Sequence, residues 1–396
     1  MNAFLLSSAH RRPAVSSTSA RQQNRVSRIP LLIGSLVLPF VAATSHAVQP
    51  VSHQYQQTNL VSDVPGLAPV TDPNLVNPWG LARSATSPWW TANNGTGTSS
   101  LYNGLGAKLA LLVTVPTAPG GTPPSAPTGI VANATSDFKV GPNQPARFIF
   151  ATEDGTISGW NPAANLTNAI LKVNRSGWAV YKGLAIGQFG GANYLYAANF
   201  LGGTVEVFNS NYDPVSFGPD AFRDWTLPAG FAPFNVQAIG DRIYVAYAKR
   251  DAEGIDEVAG HGNGYVNAYS MNGVLQLRLH SGYWMNAPWG LALAPANFGR
   301  FSNLLLVGQF GSGQIAAFDP ANGHFRGLLR GQPSRALNID GLWALSFGNG
   351  ANAGPVNTLY FTAGPEDEVH GLFGTITPVA PKDNGHDDED ALDDDQ

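Results

Sequence analysis

The chain has 396 residues, no cysteine and only 12% charged residues, with 22 Lys and Arg against 27 Asp and Glu. The missing thiols exclude disulfide staples, thiolate nucleophiles and cysteine metal sites, so a chain of this size has to be held together by its core. With 45 glycines and 29 prolines and about half the usual share of charge, which is roughly 25%, it reads as strands joined by tight turns.

Residues 1–47 hold five arginines and no acid, then the apolar run "PLLIGSLVLPFVAA", then "SHA" ending at Ala47. These are the three parts of a secretory signal, with Ala47 as its expected last residue. The run is too short to span a bilayer, which takes about 20 apolar residues. Export to the periplasm or beyond is the expectation. At the other end, eight acids and no Lys or Arg follow from Asp383 onward, so residues 381–396 read as a disordered, solubilising acidic tail. The body between, residues 48–380, is nearly neutral. That argues against nucleic acid, which calls for clustered Lys and Arg.

Along the body, "YQQTNLVSD" (55–63) alternates as a strand does, and "NPWGLA" follows at 77–82. The same Pro-Trp-Gly-Leu-Ala string returns at 288–292, and weaker copies stand at "APTGIVAN", "YKGLAIGQ", "APFNVQAIG" and "IDGLWALSFG". Taking Gly80, Gly129, Gly183, Asn235, Gly290 and Gly341 as equivalent gives six units with spacings of 49, 54, 52, 55 and 51 residues. After each copy come an apolar run, a turn rich in Gly, Asn or Asp, and a second alternating run, as in "FIFATEDGTISGWN". That is hairpin chemistry. A period near 50 with about four strands per unit is the signature of a propeller blade, so the fold expected is an all-β, six-bladed β-propeller. Each Gly-Leu-Ala should open an innermost strand, where a missing side chain allows close approach, with Trp79 and Trp289 packing between neighbouring blades. The last unit lacks an outer strand, and residues 55–63 are expected to supply it and close the ring.

The strings "YQQTNLVSDVPG", "DPNLVNPWGLA", "FIFATEDGTISGWNP", "LPAGFAPFNVQ", "NAPWGLALAP" and "NTLYFTAGP" resemble a family of exported bacterial proteins of unknown function over nearly all of the body. Members are similar in outline to six-bladed propellers of the NHL-repeat and gluconolactonase-like kinds. The resemblance implies the fold and brings no catalytic residues with it.

In such a fold, the loops entering the inner strands and those joining second to third strands share one face around the channel mouth. This places Asn77, Asn286, Asp340 and Asn235 near the axis, with Asn93, Glu153, Asp154, Asp251, Glu366, Asp367 and Glu368 around them. Oxygen ligands of this kind suit calcium, and gluconolactonase-like propellers hold such an ion with carboxylates and amides. The metal set read from the sequence is therefore Asp340, Asn77, Asn286, Asn235, Glu153 and Asp154; the competing reading is that these residues cap turns through their own backbone. His261 and His370 stand beside acids and glycines as candidate bases. The connection "AKRDAEGIDEVAGHGNG" is the longest hairpin loop, and long loops on a rigid scaffold often bind something. No phosphate loop, serine-hydrolase elbow or HExxH appears. Two classes remain: a monomeric binding or scaffolding module that takes a protein, peptide or glycan on its loop face, and a calcium-type hydrolase or lactonase-like enzyme with its site at the channel mouth.

Overall fold

The computed structural model describes residues 52–380; the expected signal (1–47) and acidic tail (381–396) lie outside the described residues. Six antiparallel sheets follow one another along the chain. Blade one spans Pro78–Thr114, blade two Pro127–Asn174, blade three Tyr181–Val215, blade four Phe231–Arg278 and blade five Pro288–Leu328. Blade six contains Leu342–Phe347, Leu359–Ala363 and Leu372–Pro378. Its fourth strand is Tyr55–Ser62, which runs antiparallel to Leu372–Pro378 with Tyr55 opposite Pro378 and Ser62 opposite Leu372. No described helix is long and apolar enough to cross a membrane.

Each blade is hydrophobic on both faces because it is covered on both sides, and the core is divided accordingly. Ile149, Leu184 and Leu195 join blades two and three, while Val236, Tyr196 and Tyr269 join three and four. Leu306, Leu342 and Phe361 join five and six, and Tyr102, Tyr360 and Phe373 join one and six. A further cluster, built on Trp79, Phe234, Trp289 and Trp343, draws its members from several blades and lies on the axis.

The recurrent glycine is explained by what stands opposite it. A Cβ on Gly80 would lie 2.4 Å from the Thr128 carbonyl of the next blade, and one on Gly129 would lie 2.2 Å from the Leu184 nitrogen. Inner strands thus approach one another backbone to backbone where six of them crowd the axis. Blade four has Asn235 instead, whose amide spans the gap to the Trp289 carbonyl at 2.8 Å. In blade six the equivalent position is not Gly341. Pairing sets Pro78 opposite Asn93, Pro288 opposite Gln309 and Leu342 opposite Ala363, each followed by the same bulge. Ala344 therefore matches Gly80 and Gly290, three residues later than the sequence repeat suggests. Gly341 serves the turn before the strand, with a positive φ of 62° and its Cβ direction blocked at 2.1 Å by the Gly364 carbonyl.

The register corrects the expected place of the tryptophans too. The residue before the glycine position faces the axis, not a neighbouring blade: Trp79, Thr128, Lys182, Phe234, Trp289 and Trp343, one from each blade. Trp79 stacks on Trp343 at 3.6 Å between ring centroids, and Trp289 meets both edge-on at 6.2 and 5.8 Å. Phe310 also stacks on Trp343, at 4.1 Å. The channel is plugged by aromatic rings, whose large buried area suits them to fill it. Below the plug, a cavity of about 420 Å³ is lined by the far ends of the inner strands, among them Arg83, Ile130, Gln237 and Phe347.

Candidate binding site at the channel mouth

Five of the six axial positions carry aromatic or small uncharged side chains; the sixth is Lys182. Its ammonium is buried, at 1% exposure, and sits 5.1 Å above the Trp79 ring and 5.9 Å from that of Phe200. An unpaired buried ammonium would be prohibitively unfavourable, and loops from two other blades supply its counter-charges. The second-to-third-strand turn of blade two brings Glu153 to 2.5 Å, and the long loop of blade four brings Asp256 to 2.8 Å and Glu257 to 4.0 Å. Burial works against the ammonium, but Glu153, Glu257 and Asp256 outweigh it and hold the Lys182 pKa above its ordinary value. The ring faces of Trp79 and Phe200 add a cation–π contribution.

A fourth carboxylate reaches the mouth from blade six. Glu368 accepts a hydrogen bond from Asn77 Nδ2 at 2.7 Å, while Asn77 Oδ1 accepts one from Trp343 Nε1 at 2.9 Å. Asn94 links the halves, donating to Glu153 at 2.8 Å and lying 3.4 Å from the Asn77 amide. Glu368 ends an unusual turn: Glu366, Asp367 and Glu368 all have positive φ, at 56°, 52° and 68°. Three consecutive non-glycine residues in the left-handed region cost about 1–2 kcal/mol each. Such strain collects where the surrounding structure holds a side chain in a demanded place.

Four carboxylates against one ammonium leave the mouth short of positive charge, and the deficit falls on the two least solvated acids. Burial pushes the Glu257 carboxyl up to about 7; Lys182 favours its charged form, and Glu368 opposes it. Glu368 is also raised, first by burial and then by Glu153, with the Asn77 hydrogen bond pulling the other way. Trp79 Nε1 is buried without a partner among the described residues.

Of the residues expected to form a metal set, the structure brings together Asn77 and Glu153, through Asn94. The others are occupied locally. Asp154 accepts from the Ala118 nitrogen at 2.7 Å and from Thr152 and Thr156 within its own hairpin. Asn286 accepts from the Gly260 nitrogen at 2.6 Å, Asp340 is exposed and caps the Glu366 nitrogen at 2.9 Å, and Asn235 bridges two inner strands. Among the described residues no three Asp, Glu, His or Cys are grouped so as to hold a metal ion. Asn93 is tied inside its hairpin to Thr98 and Ser100, and Asp251 caps the Gly254 and Ile255 nitrogens of its own loop. His261 is exposed beside the Tyr283 carbonyl at 3.1 Å. His370 pairs with Asp63 at 2.8 Å, which raises its pKa and ties the segment after the first strand to blade six.

The site is defined by what sequence reasoning passed over: Lys182, and Asp256 and Glu257 on the long loop. The signal was present in the first five units, where the residues before Gly80, Gly129, Gly183, Asn235 and Gly290 are Trp, Thr, Lys, Phe and Trp; in the sixth the sequence repeat offers Asp340, and only the register of the sheet replaces it by Trp343. In that register Lys182 is the one charged residue of the row.

The fold and site define a six-bladed β-propeller whose channel is plugged by aromatic rings and capped by an acidic mouth around a buried lysine. No family model matches the chain. It is 32% identical over 326 residues to "Uncharacterized protein R648" of Acanthamoeba polyphaga mimivirus, covering 80% of this chain and 78% of that one. To "Uncharacterized protein L690" of the same virus it is 30% identical over 329 residues, covering 80% and 84%. The chain belongs to the family of these uncharacterised proteins. Among solved structures it is similar to virginiamycin B lyase from Staphylococcus aureus, with a TM-score of 0.46 and 13% identity over 82% of this chain and 99% of the lyase. It is also similar to the PQQ-bound aldose sugar dehydrogenase of Streptomyces coelicolor, with a TM-score of 0.45 and 12% identity over 83% and 99%. No chemistry is carried over from either.

Proposed function

We propose that the protein is an exported binding propeller that takes a protein, peptide or glycan on its loop face, at the channel mouth. The observation that carries this reading is the convergence of Glu153, Asp256 and Glu257 from two blades onto one buried ammonium, with Glu368 from a third held at the mouth by Asn77. A purely structural plug has no need of it, since aromatic residues fill the axial positions of four other blades. Export rests on the residue pattern of positions 1–47. Peptide and glycan arrays probed with residues 48–396 test the reading, alongside Asp256→Lys at the mouth and Arg83→Ser at the opposite end of the channel. Ligands lost with Asp256→Lys and kept with Arg83→Ser support it. Ligands indifferent to Asp256→Lys overturn it.

One observation favours a second reading, that of an acid–base enzyme of the hydrolase or lactonase type: a buried carboxyl near neutrality, Glu257, is poised to move a proton. A calcium ion in that reading would have to share carboxylates already engaged by Lys182. Hydrolysis of simple lactones and esters by the wild type and by Glu257→Gln tests it, with no turnover, or turnover equal in the two, counting against it.

A further inference from the structure

Resting on the binding reading above, we propose that the ligand presents an organic cation, a primary ammonium or guanidinium group, to Glu257 and Glu368 beside Lys182. Glu153 and Asp256 each give an oxygen to Lys182 at 2.5 and 2.8 Å. Glu257 does not: it lies 4.0 Å from that ammonium, is 7% exposed, and accepts no side-chain hydrogen bond among the described residues. Beyond its own backbone N–H this buried carboxylate has no close donor among the described residues, and it is the group for which a ligand's N–H would relieve most desolvation.

Glu368 stands ready as the second contact. One of its oxygens accepts from Asn77, leaving the other for a donor, and its position is enforced by the left-handed turn 366–368. That turn is strained, and the hydrogen bonds within it, Glu368 to the Gly364 carbonyl and Val369 to the Glu366 carbonyl, can be made by any tight turn. What the strain secures is where the carboxylate points.

An ammonium or guanidinium suits these contacts better than a divalent ion. Calcium takes six to eight oxygens, whereas the mouth has few that Lys182, Asn77 and Asn94 do not already engage. A second positive charge of two units beside Lys182 would also be repelled more strongly than one of a single unit. The site shows in itself that it can hold an organic cation: the Lys182 ammonium rests between carboxylates over the Trp79 ring.

The test is calorimetric titration of residues 48–396 at pH 8 and low salt. The probes are N-acetyl-lysine methylamide, N-acetyl-arginine methylamide, the neutral N-acetyl-norleucine methylamide, and calcium chloride. The expected result is binding of the lysine or arginine probe and none of the norleucine probe. Glu257→Gln and Glu368→Gln should each weaken it at least about tenfold, and Asp319→Asn, on the surface of blade five, should leave it unchanged. Should Glu368→Gln not fold, Glu368→Asp carries the same expectation, because the shortened side chain cannot keep both contacts. The proposal is overturned if no cationic probe binds, if norleucine binds equally, if both Gln variants bind as the wild type does, or if calcium alone binds. Failure here, with array ligands still lost in Asp256→Lys, removes the cation and leaves the binding reading; array ligands indifferent to Asp256→Lys remove the binding reading itself.

Discussion

Replacing Glu257 by Gln should stabilise the folded protein in alkaline solution and leave it nearly unchanged in mild acid. Gln has the shape of the protonated acid, so the variant removes the cost of ionising a buried carboxylate and little else. Moving the group from its ordinary value near 4.5 to about 7 corresponds to about 3 kcal/mol held against the charged form. The sign follows from proton binding. Between these two values the folded chain holds a proton that the unfolded chain has released, so wild-type stability falls as pH rises through this window. Below pH 4.5 the two forms are equally protonated and the difference vanishes; above 7 it is complete. Urea unfolding of both proteins at pH 5 and pH 8.5 measures it as the shift in midpoint at constant slope. A variant equal to or less stable than wild type at pH 8.5 would refute the reasoning, since Lys182 would then be compensating Glu257 in full.

Lys182→Met keeps the length of the side chain and removes the charge, leaving Glu153, Asp256 and Glu257 without their cation. It should cost about 3–5 kcal/mol at neutral pH, with part regained on acidification as the carboxylates protonate, both read from unfolding curves. Deleting residues 55–63 strips the outer strand from blade six together with Tyr55, whose ring stands 5.0 and 6.0 Å from those of Phe298 and Phe301. A sharply lower thermal midpoint is expected, and an unchanged one would remove the idea that this strand closes the ring. Asp72 is fully buried and accepts from Tyr102 at 2.6 Å and Lys108 at 2.7 Å. Although burial opposes its charge, these donors hold its pKa below the ordinary range. Asp72→Ala should cost about 2–3 kcal/mol, chiefly by orphaning the buried Tyr102 hydroxyl, and the wild type should lose that advantage in acid as pH falls through the lowered value.

The blade count was legible because each blade repeats the same demand, a bare position where inner strands meet and an alternating hairpin behind it. The spacing could not show that the demand shifts by three residues in blade six, where Ala344 is small enough to serve and Gly341 answers to a turn. The mouth was legible as a face: loops that the topology sends there do bear Asn77, Glu153 and Glu368. Which acids meet was not legible, because it depends on how far each loop leans inward. Asp154 follows Glu153 directly, yet it turns back to Ala118 while Glu153 reaches Lys182. Asp340 and Asn286 carry suitable oxygens but spend them on nearby backbone, as short polar side chains beside turns commonly do.

The pairing of the first strand with the last has a mechanical consequence. Tyr55 lies opposite Pro378, and the Val379 nitrogen donates to the Gln54 carbonyl at 2.9 Å, so the two ends of the propeller meet at the same end of one antiparallel ladder. A load applied across these ends would not shear the ladder as a whole. It would open it like a zip, one pair at a time from Gln54 inward, at forces well below those needed to slide two strands past each other. A tether between the two ends would relieve that load, and a chain recut between two other blades, with its ends elsewhere on the rim, would resist it differently.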